Sequence, residues 1–73
     1  MIKYKDLVKG DKILTKQLGT PVSGKLLESP KQGRGLKNIV LIFSNAKEIG
    51  VYARDIIKVK RNNNWQEVTD APA

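Results

Sequence analysis

Apolar residues in this 73-residue chain occur in short segments with the spacing of β-strands. The strongest is the five-residue apolar run 39–43, whose length and β-branched residues favour a strand over a helix. A second segment, 57–60, alternates apolar and basic residues with a period of two, as a strand with one buried face does. Together these two segments predict the centre of a β-sheet.

Weaker patterns of the same kind predict the other strands. A glycine at position 24 interrupts one of them and permits the sharp bend that a small barrel needs at its corners. Asn62, Asn63 and Asn64 tolerate a left-handed backbone and predict the turn of a final hairpin. The predicted strands are 12–17, 22–28, 39–43, 48–53 and 57–61, with residues 65–68 as the return arm of that hairpin.

Turn-forming residues separate these strands. The segment 6–11 is expected to form one helical turn, because Asp6 can cap its free N–H groups and Gly10 can end it with a positive φ. Residues 54–56 are expected to form a one-turn helix directly before the last core strand. The stretch 29–38 contains a proline and two glycines without hydrophobic periodicity, which predicts a loop.

Strand periodicity also predicts which side chains form the core. Alternate residues of a strand point to opposite faces of the sheet, so we expect the first, third and fifth residues of 39–43 to point inwards. Val40 and Ile42 would then point outwards, where either the chain ends cover them or they mark an interface with a second copy or another protein. The expected core is Leu41, Phe43, Ile57 and Val59.

The length of the chain allows one small domain, which we expect to span residues 1–69, with a flexible tail at 70–73. No cysteine is present to form a disulfide or to bind zinc. The N-terminus lacks a secretion signal, and the longest apolar run is much shorter than the ~20 residues of a membrane helix. We therefore expect a cytoplasmic protein that does not contact a membrane.

The side chains that catalysis and metal binding use most are missing. The chain has no histidine and no cysteine, and its seven acidic residues form no closely spaced run. The tripeptide Gly33–Arg34–Gly35 lacks the Gly-Lys-Ser/Thr of a phosphate-binding loop. The expectation is a protein without catalytic site, metal, cofactor or small-molecule substrate.

The charge is strongly positive. Fourteen basic residues against seven acidic ones give a net charge of +7, and residues 1–38, with nine basic and three acidic side chains, carry +6 of it. Such a bias favours an anionic partner such as DNA or RNA, although the same lysines could simply keep a small apolar protein in solution. An aromatic side chain at the edge, Tyr52 or Trp65, could stack on a base. The residues predicted to contact phosphates are Lys25, Lys31, Arg34, Lys37, Lys58, Lys60 and Arg61.

Two segments of the chain resemble parts of SH3-like small β-barrels. In 50–59 a glycine and an apolar pair precede a short polar turn, a second apolar pair and an alternating strand, and the segment 6–13 is similar to the start of KOW-type and Tudor-like bacterial domains. The resemblance implies an all-β fold, an SH3-like barrel of five to six short strands with a one-turn 3₁₀ helix before the last core strand. The paired aromatics of peptide-binding SH3 domains have no counterpart near 16–21.

Two functions follow as hypotheses, because a fold alone does not define one. The first is a non-enzymatic basic module that binds nucleic acid through a lysine- and arginine-rich loop and strand face. The alternative is an adaptor for protein–protein interaction, of the kind that bacteria and phages encode as small accessory proteins. The adaptor would use the apolar face formed by Val40 and Ile42.

Overall fold

The computed structural model describes residues 1–17, 19–30 and 38–72, and within these ranges seven strands form one sheet. Its order is β1-β7-β6-β2-β3-β4-β5; β1 pairs with β7 in parallel, and the other neighbours are antiparallel. The all-β prediction is confirmed, but the sheet is not closed into a barrel. The strands are β1 (Ile2–Lys3), β2 (Lys12–Gln17), β3 (Thr20–Leu26), β4 (Ile39–Ser44), β5 (Lys47–Tyr52), β6 (Ile56–Arg61) and β7 (Asn64–Thr69).

One of the two predicted helical turns is present with a small shift, whereas the turn predicted over 6–11 is replaced by two shorter turns. The first is a 3₁₀ turn over Tyr4–Asp6, and a separate turn follows in which the Val8 N–H donates to Oδ2 of Asp11 at 2.9 Å. The 3₁₀ turn has no side-chain cap, so the capping expected of Asp6 is not observed, and the Asp11 carboxylate instead closes the turn over 8–11. Gly10 has the expected positive φ of 95°. The second 3₁₀ turn, Ala53–Asp55, begins one residue earlier than predicted and leads directly into β6.

Residues with a left-handed backbone conformation form the two tight hairpin turns. Asn62 and Asn63 connect β6 to β7 with φ of 53° and 62°, as the asparagine run predicts. Asn45 and Ala46 connect β4 to β5 with φ of 51° and 62°. Two consecutive positive φ values are characteristic of the turn that matches the right-handed twist of paired strands.

The orientation of β4 is the reverse of the prediction. Val40 and Ile42 are 4% and 0% exposed, whereas Phe43 is 47% exposed, so the expectation that Val40 and Ile42 face outwards is wrong. The partner strand explains the result, because on β5 the apolar Val51 and Ile49 lie opposite Val40 and Ile42. The residues opposite Leu41 and Phe43 are a glycine and a glutamate, which cannot line a core.

A β-bulge changes the orientation of β6. Leu14 of β2 lies opposite Lys58, and the next residue, Thr15, lies opposite Ile56, so Ile57 has no partner on β2. The extra residue places both Ile56 and Val59 in the core, three positions apart, and leaves Ile57 37% exposed. The prediction is confirmed for Val59 and wrong for Ile57.

The core lies on one face of the sheet, and its polar members are satisfied. The hydroxyl of Thr15 donates to the carbonyl oxygen of Val22 at 3.2 Å, and that of Ser44 donates to the carbonyl oxygen of Ser23 at 2.8 Å. Gly24 allows β3 and β4 to approach, because a Cβ there would lie 2.7 Å from the Phe43 carbonyl oxygen. The buried apolar residues are Leu7, Ile13, Leu26, Val40, Ile42, Val51, Ala53, Ile56 and Val59.

None of the helices in the described ranges has both the length and the apolar character needed to span a membrane.

Candidate nucleic-acid interface

Three lysines lie side by side across the middle of the sheet. Lys12 on β2 is directly opposite Lys25 on β3 and, on its other side, directly opposite Lys60 on β6. Directly opposed residues of antiparallel strands project from the same face, with Cβ atoms about 4.5–5.5 Å apart. We refer to Lys25, Lys12 and Lys60 as the lysine row. Lys12 and Lys25 are exposed, and Lys60 is half-buried.

An aromatic side chain stands at each end of the lysine row. Phe43 of β4 lies opposite Lys25, and Trp65 of β7 lies opposite Lys60. The Nζ atom of Lys60 is 5.8 Å from the centroid of the Trp65 ring, within the range of a cation–π contact. Phe43 and Trp65 are 47% and 40% exposed. The order across five adjacent strands is therefore aromatic, three lysines, aromatic.

No carboxylate occupies a position of the lysine row itself, although Glu48 of β5 lies opposite Phe43, one strand beyond the row. Asp11 precedes Lys12 in the chain, but its carboxylate is bound to Arg61. Glu67 of β7 lies opposite Lys58, one step along β6 from the row. Like charges directly opposite each other destabilise a sheet, so the row has an electrostatic cost in the free protein.

Arg61 has a structural partner. Its Nη2 donates to Oδ2 of Asp11 at 2.7 Å and to the carbonyl oxygen of Asp6 at 3.0 Å, and its Nε donates to Oδ1 of Asp11 at 3.3 Å. The hydrogen bond to Asp11 raises the pKa of Arg61 above its ordinary value. The positive charge predicted to meet a phosphate is thus compensated within the fold, and Arg61 does not belong to the lysine row.

The two aromatic residues predicted to stack on bases have different surroundings. Trp65 lies next to the lysine row, opposite Lys60. Tyr52 is also exposed, but it is the last residue of β5, opposite Ile39, and the guanidinium of Arg54 lies 4.7 Å from the centroid of its ring. Only Trp65 is therefore adjacent to the lysines.

The structure places the predicted basic residues in three situations. Lys25 and Lys60 belong to the lysine row, and Lys58 projects from the same strand face one step away. Arg61 points into the ion pair with Asp11. The loop residues of the prediction lie outside the described part of the chain: Lys31, Arg34 and Lys37.

Sequence reasoning missed the central member of the row and one of its ends. Lys12 alternates with the buried Ile13, which was a sufficient signal that Lys12 faces outwards. Its position between Lys25 and Lys60 required the strand order, which the sequence does not contain. Phe43 was assigned to the core because an uninterrupted apolar run carries no alternation.

The interface assigned to Val40 and Ile42 has no exposed surface, because both side chains are buried. Within the described ranges no group of three or more acidic side chains is placed to hold a metal ion.

Comparison of the chain with protein-family models, curated proteins and solved structures finds no match. The functional interpretation therefore rests on the side chains around the lysine row.

Proposed function

We propose that this protein is a non-enzymatic module that binds the phosphate backbone of nucleic acid through the lysine row. The observation that carries the proposal is the position of Lys12, directly opposite Lys25 and Lys60 on the two neighbouring strands. Like charges at these three opposed positions disfavour the free protein, and a polyanion that lies across them would neutralise them. Lys58 lies on the same face of β6, but Glu67 of β7 is opposite it, so the proposal rests on the three lysines of the row.

Solubility alone does not require the lysines to be aligned in this way. Lysines that only hydrate a surface can stand anywhere on it, and opposed pairs of opposite charge would stabilise the sheet while doing so. Here the unfavourable alignment is repeated on both sides of Lys12. Positions that lower stability without a packing reason are typical of binding surfaces.

Binding would occur mainly by neutralisation of phosphates. Each lysine that meets a phosphate releases a condensed counterion, so affinity falls linearly with the logarithm of salt concentration. Three lysines account for a slope of roughly −2 on single strands and nearly −3 on duplex DNA. These contacts carry no sequence information, so the affinity should depend little on base sequence.

The test compares two variants that each lose three positive charges. The first replaces the lysine row (Lys12→Gln, Lys25→Gln, Lys60→Gln), and the control replaces three exposed lysines near the N-terminus (Lys3→Gln, Lys5→Gln, Lys9→Gln). Affinity for labelled DNA and RNA is measured by fluorescence anisotropy at two salt concentrations. We expect the row variant to lose at least about tenfold in affinity at low salt and to show a shallower salt slope, with a much smaller loss in the control. Equal losses, or no binding by the unaltered protein at low salt, would overturn the proposal.

A stability measurement separates loss of a binding group from damage to the fold. Because Lys12 is opposed by a like charge on both sides, Lys12→Gln should leave the melting temperature unchanged or raise it slightly while it weakens binding. A variant that loses affinity together with stability would indicate a structural role instead.

The SH3-like architecture is part of the same proposal. Its support is the order of five consecutive strands, β6-β2-β3-β4-β5, together with the 3₁₀ turn Ala53–Asp55 between β5 and β6. The strands β7 and β1 extend this arrangement beyond β6.

A further inference from the structure

The aromatic side chains at the ends of the lysine row are unusual for a surface that meets only phosphates. Both rings are large and substantially exposed, and neither is needed to neutralise charge. Four inter-strand steps of about 4.8 Å separate Phe43 from Trp65, so the two rings are on the order of 20 Å apart along the sheet. This distance spans several nucleotides of a strand, since successive phosphates of one strand are about 3.4 Å apart along a helix axis.

The ring of Phe43 borders an open depression between β2, β3 and the turn from β4 to β5. The depression has a volume of about 450 Å³, which is within the size range of sites for small organic groups. Its lining residues include an aromatic residue, two lysines and Asn45, whose side-chain amide can both donate and accept hydrogen bonds. The lining residues are Lys12, Ser23, Gly24, Lys25, Phe43, Ser44 and Asn45.

We propose that the lysine row binds single-stranded nucleic acid, with one base stacked on Phe43 in this depression and another on Trp65. This inference rests on the proposed function and specifies its ligand. In a duplex the faces of the bases are covered by their neighbours, so the two rings could not reach them. A single strand presents its phosphates to Lys12 and Lys25 while an unstacked base enters the depression. Stacking of this kind tolerates any base, in agreement with an interface that reads little sequence.

Trp65 provides a direct signal, because it is the single tryptophan of the chain. We expect an unstructured oligothymidine to quench its fluorescence, while a duplex of the same length, bound through phosphates alone, leaves the emission nearly unchanged. Equal quenching by both ligands would contradict stacking at Trp65.

Three variants test the individual rings by anisotropy with the same two ligands. Phe43→Leu and Trp65→Leu keep an apolar side chain without a ring face, and each should weaken single-strand binding about tenfold with little change for the duplex. Tyr52→Leu is the matched control, because Tyr52 is similarly exposed but lies beside Arg54, away from the row. It should leave both affinities unchanged, and circular dichroism confirms that each variant is folded.

The outcomes distinguish this inference from the proposed function. If the unaltered protein binds duplex as tightly as single strand and Phe43→Leu has no effect, the stacking inference is overturned while phosphate binding stands. If neither ligand binds at low salt, both proposals fail. If Phe43→Leu weakens both ligands equally, the ring supports the fold of the surface and does not stack on a base.

Discussion

Arg61 at the end of β6 and Asp11 before β2 form a two-point ion pair, although 50 positions separate them in the chain. The carboxylate of Asp11 also accepts a hydrogen bond from the Val8 N–H, and the guanidinium of Arg61 donates to the carbonyl oxygen of Asp6. One pair of charges therefore joins the N-terminal turn to β6. Arg61 does not belong to the lysine row, so the fold uses one cation of this region for structure, while Lys12 and Lys25 remain exposed.

Removal of the guanidinium should destabilise the protein. We expect Arg61→Ala to lower the free energy of unfolding by about 1–2 kcal/mol, because hydrogen bonds to a partly buried charge are lost. Arg61→Lys should recover only part of this loss, since an ammonium cannot make the two-point contact. Urea denaturation followed by Trp65 fluorescence measures both variants. Lys47→Ala, on an exposed residue of β5, is the control, and an equal effect there would show that the ion pair contributes nothing specific.

The reversed orientation of β4 makes a prediction that does not depend on any ligand. Ile42→Val should cost about 1 kcal/mol of unfolding free energy, because it removes a methylene from a side chain that is fully buried. Phe43→Leu should stay within about 0.5 kcal/mol, since nearly half of this ring is in water. Thermal or urea denaturation of the two variants compares them directly. A larger loss for Phe43→Leu would mean that Phe43 belongs to the core.

Local signals were sufficient to predict most of the elements. The asparagines of the final hairpin, the glycine that ends the first turn and the alternation in β2 and β6 each depend on neighbouring residues. Such features follow from backbone preferences that operate within a few positions. They identified β2 to β7, to within a few residues, and the turn before β6, but not the short β1, which pairs with the distant β7.

The wrong predictions for β4 and β6 have a common physical cause. A local pattern can leave the orientation of a strand undetermined, and the partner strand then determines it. Five consecutive apolar residues in β4 fit either orientation, and the glycine and glutamate of β5 opposite Leu41 and Phe43 select the observed one. The bulge at Ile57 depends on how β6 pairs with β2. The lysine row likewise exists only after β2 is placed between β3 and β6. Lys25 and Lys60 were predicted as phosphate contacts. That Lys12 lies between them could not be predicted without the strand order.

The turn between β4 and β5 contains a residue that is poorly suited to its backbone. Ala46 has a φ of 62°, where a Cβ is unfavourable, whereas glycine adopts this conformation freely. We expect Ala46→Gly to raise the free energy of unfolding by about 0.5–1 kcal/mol, after the greater freedom of glycine in the unfolded chain is subtracted. The equivalent change in the other hairpin, Asn63→Gly, is the control. Asparagine tolerates a positive φ, so its gain should be smaller, and equal gains would argue against relief of backbone strain.

The phenol of Tyr4 should respond to high pH. Burial against the core and, to a smaller extent, the negative charge of Glu28 raise the pKa of Tyr4 above its ordinary value of 10.0. Near pH 10 the folded protein therefore holds a proton that the unfolded chain releases. The stabilisation that results is complete below pH 10 and is lost as the pH rises through the pKa of the folded state.

A single-tyrosine variant measures this shift directly. In Tyr52→Phe only Tyr4 remains to ionise, and the ultraviolet absorbance of tyrosinate reports its titration. We expect a midpoint above 10 in the folded protein and a return to about 10 in concentrated urea. Addition of Glu28→Gln should lower the midpoint only part of the way, because burial is the larger cause. The same midpoint with and without urea would show that Tyr4 is not packed against the core in solution.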